Sequence, residues 1–91
     1  MTYYVIKFVW KDYRNFVQTT YAGYNYNVYY DWAPTPSCDF NEAEKFNNIE
    51  AAKNFYEKNS NYFKHITDRE NSATYISKIV ININTEDVEK I

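Results

Sequence analysis

The sequence predicts an α+β fold in which one main helix packs on an antiparallel sheet, with the chain order β-β-β-α-β. Three observations lead to this prediction. Residues 2–10 and 74–84 alternate between two faces as β-strands do. Residues 24–32 repeat this alternation with an unusual number of aromatic side chains. Residues 47–66 instead carry apolar side chains at the spacing of an amphipathic helix.

The composition indicates one folded domain, residues 1–91. Hydrophobic residues make up 45% of the chain and charged residues 24%, which is typical of a globular protein. The unusual value is the 21% aromatic content, with eleven tyrosines. An aromatic surface with a function would explain this excess. AT-rich codon usage would also explain it, because Asn, Lys, Ile and Phe are abundant as well.

The first half of the chain predicts three strands. Four apolar side chains share one face of the first strand: Tyr4, Ile6, Phe8 and Trp10. The polar cluster at 11–15 predicts a turn, and residues 16–21 are rich in strand-forming side chains. Gly23, the only glycine, is expected to supply a positive φ in a tight turn before the third strand.

The third predicted strand, residues 24–32, has one aromatic face and one mostly polar face. The aromatic face carries Tyr24, Tyr26, Val28, Tyr30 and Trp32. This pattern is typical of a strand with one side on a core, although a ligand platform would show it too. Pro34 and Pro36 are expected to end the sheet, because each removes a hydrogen-bond donor.

The second half predicts a capped turn, a helix and a strand. Asp39 or Asn41 can cap a short helical turn, and Asn47 with Glu50 resembles a capping box for the main helix. The last strand, residues 74–84, is expected to pair beside the first. The acidic tail 85–91 is expected to be frayed or to form a single helical turn.

No residue pattern predicts catalysis, a metal site or a cofactor. His65 is the only histidine and Cys38 the only cysteine, which leaves no basis for a His or Cys metal cluster or for a disulfide within the chain. A single glycine excludes a glycine-rich phosphate loop. The acidic pairs, such as Glu42 with Glu44, suit solvated charge. The sequence therefore predicts a protein that is not an enzyme.

The charge and the N-terminal residues give further expectations. A net charge of −2 with scattered Lys and Arg gives no basic patch for a phosphate backbone. The first ten residues lack a basic region and a cleavage site, and their apolar run is too short to span a bilayer. We therefore expect a cytoplasmic protein without a membrane partner.

Protein binding is the function that this composition favours. Tyr and Trp are common at interface hot spots, and a small domain cannot enclose nineteen aromatic side chains, counted as eleven Tyr, six Phe and two Trp. The residues predicted to contact a partner are Tyr13, Tyr21, Tyr24, Tyr29, Asp31 and Trp32. The alternative is a binder of single-stranded nucleic acid that stacks bases on the same tyrosines. A homodimer with an aromatic interface is as compatible with the pattern as a monomer.

Three segments carry a resemblance: "YYVIKF" at 3–8, "EAEKFNNIEAAKNF" at 42–55 and "KIVINI" at 78–83. In this layout, with core positions such as Ala43, Phe46, Ala52 and Phe55, the chain resembles a loose group of short accessory proteins. These are encoded by phages, prophages and mobile elements of AT-rich Gram-positive bacteria. The tyrosine-rich hairpin departs from the sparser hairpin expected in that group.

The resemblance implies a setting and no catalytic residues. Several members of that group bind and disable a host enzyme, including anti-CRISPR and other anti-defence inhibitors. The expected partner is therefore a larger host protein. A nucleic-acid enzyme would suit the acidic groups of this chain, since they could occupy a basic groove.

Overall fold

The computed structural model describes residues 2–26, 32–81 and 84–91. Within these residues, the structure has five strands and two α-helices joined by a 3₁₀ turn. In chain order they are β1 (Tyr4–Lys11), β2 (Val17–Tyr26), β3 (Trp32–Cys38), α1 (Ile49–Asn59), the 3₁₀ turn (Ser60–Phe63), α2 (Lys64–Thr67), β4 (Ala73–Ile81) and β5 (Asn84–Lys90). The strands form an antiparallel sheet in the order β3-β2-β1-β4-β5. The α+β prediction is confirmed, with one strand more than expected.

The core lies between the centre of the sheet and the helices. β1 pairs with β4 as predicted, and Ile6 lies opposite Ile76. Ile6, Phe8 and Ile76 are fully buried against a helical layer that includes Phe63. Burial of each such large apolar side chain stabilises the fold by about 1.5–3 kcal/mol. The alternating pattern of β1 is therefore the main determinant of the layered architecture.

The main helix begins one residue later than predicted and is interrupted near its middle. Asn48, not Asn47, is the N-cap, and its Oδ1 accepts a hydrogen bond from the Ala51 N–H at 2.8 Å. Near the end of α1 the Asn59 side chain donates to the Phe55 carbonyl at 3.0 Å. In an α-helix the Phe55 carbonyl would accept a hydrogen bond from the backbone N–H of Asn59. The Asn59 side chain therefore competes with its own backbone N–H for the same oxygen. The chain then continues as the 3₁₀ turn.

The prediction of one strand over 24–32 is wrong, because the described residues of this stretch belong to two different strands. Tyr24 belongs to the end of β2 and Trp32 begins β3, with Tyr26 paired to Trp32. Val28 and Tyr30, which the prediction placed on the aromatic face, lie outside the described residues. Pro34 and Pro36 do not end the sheet but lie within β3. They are accommodated because β3 is an edge strand, where one side of the backbone needs no donor.

Gly23 does not form the predicted turn. It lies buried inside β2, next to a break in the pairing register, and its φ is not positive. A Cβ atom at this position would lie 2.5 Å from the Cys38 Sγ and 2.9 Å from the Glu42 carbonyl oxygen. Glycine is therefore required here, because Cys38 and Glu42 of the same chain approach β2 too closely to leave room for a side chain.

The acidic tail is a strand and not a frayed end. Residues 84–90 form β5 on the outer side of β4. The Asp87 Oδ1 accepts hydrogen bonds from the Lys7 Nζ and the Ser77 Oγ, each at 2.6 Å. Burial opposes ionisation of Asp87, but these two hydrogen bonds outweigh it and keep its pKa below the ordinary value. Charged side chains are common on edge strands, because they discourage pairing with other chains.

Replacement of Gly23 by alanine is expected to destabilise the protein by about 1–3 kcal/mol, because the new methyl group overlaps the Cys38 thiol and the Glu42 carbonyl. The measurement is urea unfolding followed by circular dichroism. Alanine is otherwise more favourable than glycine inside a strand, so the measured loss of stability would be the steric cost less this gain.

The matched control is Asn25→Ala, on the same strand but exposed. This change is expected to alter stability by less than about 0.5 kcal/mol. A Gly23→Ala protein as stable as the wild type would contradict the close approach of residues 38 and 42 to β2.

Candidate functional site

β1 and β2 separate at one end of the sheet, and another segment lies between them. The two strands pair from Lys11 opposite Val17 as far as Lys7 opposite Tyr21. Beyond this point Tyr4 exchanges two backbone hydrogen bonds with Phe46, each of 2.8 Å. The Glu44 N–H donates to the Ala22 carbonyl at 3.0 Å. Residues 44–46 therefore bridge β1 and the outer part of β2.

The turn before this segment is set by Asp39. The Glu42 N–H lies 3.0 Å from the Asp39 Oδ1 and 3.2 Å from the Asp39 carbonyl oxygen. The predicted capped turn is thus confirmed at Asp39, although the chain does not continue it as a helix. The turn directs residues 42–44 along β2, where Gly23 leaves the necessary space.

A groove lies between this segment and the β2–β3 hairpin. We call it the acidic groove, and among the described residues four line it: Tyr24, Trp32, Glu42 and Glu44. Its volume is about 580 Å³ and it opens to solvent. The groove therefore combines two aromatic side chains with two carboxylates on a concave surface.

The two aromatic side chains of the acidic groove share one face of the hairpin. Tyr24 pairs with Pro34, and Trp32 lies two residues before Pro34 on β3, so the two rings are diagonal neighbours. The Tyr24 ring makes an edge contact with Phe55 at a centroid distance of 5.8 Å. Tyr24 remains 40% exposed and Trp32 65% exposed. The core thus holds Tyr24 in place while both rings offer area to a ligand.

One carboxyl group of the acidic groove, that of Glu42, lies close to another acidic side chain, Asp39. A hydrogen bond with the Asp39 carboxyl, which requires a shared proton, and the negative charge of Asp39 raise the pKa of Glu42 above its ordinary value. Among the described residues, the ion pairs are Lys7–Asp87, Arg14–Asp12 and Lys53–Glu89. Within that part of the chain, Asp39, Glu42 and Glu44 have no ion pair, and their charge favours an external cation.

The structure gives no support for nucleophilic chemistry at this site. Cys38 is buried beside Gly23, and burial, followed by the charges of Glu42 and Asp39, raises the pKa of its thiol. A thiol with a raised pKa is a poor nucleophile. Across residues 2–26, 32–81 and 84–91, no cluster of three or more His, Cys, Asp or Glu is arranged to hold a metal ion.

Of the predicted partner-binding residues that the structure describes, Tyr24 and Trp32 meet in the acidic groove. Tyr21 pairs with Lys7 on the sheet face opposite the helices, and its ring contacts Phe40 at 5.6 Å. Tyr13 lies in the β1–β2 turn at the far end of the sheet. Tyr29 and Asp31 lie outside the described residues.

The turn that carries Tyr13 is stabilised by its own contacts. The Asp12 carboxylate accepts hydrogen bonds from the side chains of Arg14 and Gln18 and from the Phe16 N–H. Burial raises the pKa of Asp12, but these hydrogen bonds outweigh it and lower the pKa to about 2. Tyr13 is 91% exposed, with the Arg14 guanidinium 5.6 Å from its ring. This turn is a separate surface from the acidic groove.

Sequence reasoning does not place Glu42 and Glu44 in a groove. At a predicted helix start the pair suits solvated charge, because acids are favoured there. One feature of the sequence could have indicated their position. Glu42, Glu44 and Phe46 are each two residues apart, a spacing that is compatible with an extended segment. The bridge between Phe46 and Tyr4, which shows this geometry, depends on contacts that are distant in sequence.

Comparisons with family models, curated proteins and solved structures gave no match to this chain. Among the described residues, no helix has the length and apolar character needed to cross a bilayer.

We expect Glu42 to titrate above the ordinary range for glutamate, because ionisation brings its charge close to Asp39. The measurement is a pH titration of the side-chain carboxyl carbons by NMR. Since the pKa is raised in the folded state, ionisation of Glu42 lowers stability as the pH rises through that folded-state pKa.

The matched variant is Asp39→Asn, which keeps the oxygen that accepts from the Glu42 N–H but removes the charge. It is expected to return the pKa of Glu42 toward 4.5. An ordinary pKa in the wild type, or a raised pKa that persists in Asp39→Asn, would contradict the proximity of these two carboxyl groups.

Proposed function

We propose that the protein is a non-catalytic binding module that inhibits a larger host protein by binding it through the acidic groove. One observation carries this proposal: an exposed tryptophan and a core-anchored tyrosine flank two carboxylates without an ion pair among the described residues. Aromatic side chains supply large contact area at a small entropic cost, and they are enriched among interface hot spots.

The charge of the acidic groove favours a basic surface on the partner. Carboxylates opposite a positive patch accelerate encounter and suppress binding to acidic proteins. Enzymes that act on nucleic acids carry such patches, because they must neutralise phosphates. A nucleic-acid enzyme is therefore the partner class that we propose.

The resemblance to phage and mobile-element accessory proteins supplies the biological setting of the proposal. In that setting the partner is a host enzyme in the bacterial cytoplasm, and the small domain acts as an anti-defence inhibitor. The proposal requires no reaction by this chain, which is consistent with the buried, raised-pKa thiol of Cys38.

Direct binding of single-stranded nucleic acid is less consistent with the acidic groove, because its carboxylates repel phosphates. Two cations near aromatic rings elsewhere are already paired with acids. The Lys7 Nζ lies 2.6 Å from Asp87, and Arg14 lies 2.9 Å from Asp12. These pairs reduce the positive charge available to a phosphate backbone.

The test compares proteins retained by immobilised wild type, Trp32→Ala and Tyr13→Ala from lysates of AT-rich Gram-positive bacteria. We expect wild type and Tyr13→Ala to retain the same larger protein and Trp32→Ala to lose it. Trp32 is largely exposed, so its removal should preserve the secondary structure reported by far-ultraviolet circular dichroism.

The retained protein is then identified, purified and titrated against each variant. A hot-spot tryptophan contributes about 2 kcal/mol or more, so Trp32→Ala is expected to weaken binding at least about tenfold. Equal affinity of wild type and Trp32→Ala, or recovery of nucleic acid alone, would refute the proposal.

A further inference from the structure

We propose that the acidic groove is a receptor for one arginine side chain of the partner. In this arrangement the guanidinium stacks on the Trp32 indole, and Glu42 and Glu44 accept its hydrogen bonds. This inference rests on the proposed function for the claim that the arginine belongs to a protein. The binding chemistry itself can be tested without that claim.

The lining of the acidic groove suits a planar cation. Two aromatic rings lie on the hairpin side, and two carboxylates lie on the side of residues 42–44. A guanidinium is attracted to the faces of aromatic rings and forms paired hydrogen bonds with carboxylates. A neutral apolar ligand would leave the two carboxylates without a partner, and an anion would be repelled by them.

Arginine fits these groups better than lysine. Its planar head is weakly hydrated, stacks on an indole and presents its donors in a fixed fork. The ammonium of lysine is a strongly hydrated point charge without a face to stack. We therefore expect the groove to prefer arginine.

The same protein already contains an arginine over the ring of a tryptophan. The Arg69 guanidinium carbon lies 5.0 Å from the ring centroid of Trp10. Arg69 also donates to the Lys11 carbonyl at 3.1 Å and to the His65 carbonyl at 3.2 Å. In this intramolecular cation–π pair, oxygen acceptors hold the guanidinium over the indole, and the proposed site at Trp32 combines the same two kinds of contact.

The nearest cation in sequence does not fill the acidic groove. Lys45 follows Glu44, but its Nζ lies 3.4 Å from the Ala43 carbonyl. Its side chain lines a different depression, together with Tyr3, Phe40 and Ile79. The negative charge of Glu42 and Glu44 is thus available to a ligand from outside the chain.

The experiment is an NMR titration of the full ¹⁵N-labelled chain with the peptide acetyl-Gly-Arg-Gly-amide. The control peptide carries citrulline, which has nearly the shape of arginine but no charge. We expect the arginine peptide to shift the Trp32 indole N–H signal with a Kd on the order of 1 mM. The Trp10 indole, which donates to the Thr20 Oγ1 at 3.1 Å, serves as an internal reference and should not shift.

Two double variants that each remove two negative charges test whether the groove carboxylates bind the arginine. Glu42→Gln/Glu44→Gln is expected to weaken arginine binding at least about tenfold. The control, Asp68→Asn/Glu70→Gln, removes the same charge from exposed loop positions and should leave binding within about twofold. Because Trp32→Ala lacks the reporting indole, its binding is followed at the backbone amides of Tyr24 and Glu44, which line the same groove. The arginine peptide should shift these amides in the wild type and leave them unshifted in Trp32→Ala.

Four outcomes would overturn the inference. The first is equal binding of the arginine and citrulline peptides. The second is the absence of a Trp32 shift up to about 10 mM peptide, ten times the expected Kd. The third is tighter binding of a matching lysine peptide. The fourth is a larger Trp32 response to an oligothymidine than to the arginine peptide, which would indicate a nucleic-acid site.

These outcomes are separable from those of the retention experiment. If Trp32→Ala loses a partner protein but the arginine peptide does not bind, the proposed function stands and the arginine site is wrong. If the peptide binds with the expected selectivity but no partner protein depends on Trp32, the arginine site stands and the proposed function is wrong.

Discussion

The close approach of Cys38 and Glu42 to Gly23 is the constraint on which the rest of this structure depends. No side chain larger than hydrogen fits between the Cys38 thiol and the Glu42 carbonyl at this point of β2. Because the two approach so closely, residues 44–46 can reach both the Ala22 carbonyl and the backbone of Tyr4. A single glycine thus permits β1 and β2 to separate while the backbone groups of Tyr4 and the Ala22 carbonyl find partners in residues 44–46.

This separation connects the fold to the candidate site. The outer part of β2 and the edge strand β3 extend beyond the centre of the sheet and carry Tyr24 and Trp32. The inserted segment brings Glu42 and Glu44 opposite these aromatic rings. The Tyr24 ring contacts Phe55, and the ring centroids of Phe55 and Phe46 lie 5.1 Å apart. The hydrophobic core therefore extends as far as the Tyr24 side of the acidic groove. An aromatic and acidic surface therefore results from packing that also stabilises the fold.

The sequence was sufficient for the parts of the fold that follow local periodicity. The alternation in β1 and β4 and the apolar stripe of α1 predicted the layers and the pairing of the central strands. It was insufficient where a residue's role depends on distant contacts. Gly23 resembled a turn glycine because its contacts lie fifteen residues or more along the chain. The prolines of β3 and the acids of β5 are unfavourable within a sheet but are tolerated on its edge strands. No local sequence pattern indicates that these two segments lie at the edges. Among the described residues that line the groove, Tyr24 and Trp32 were predicted, and Glu42 and Glu44 were missed for the same reason.

The insertion of residues 44–46 beside β1 can be tested most directly by amide hydrogen exchange measured by NMR. The account predicts that the amides of Tyr4, Glu44 and Phe46 are protected, because each donates to a backbone carbonyl within the sheet region. Their exchange should be nearly as slow as that of the paired residues at the centre of β1. If Glu44 and Phe46 exchange as fast as exposed loop amides such as that of Glu70, the segment does not bridge the strands. The acidic groove as described would then not exist.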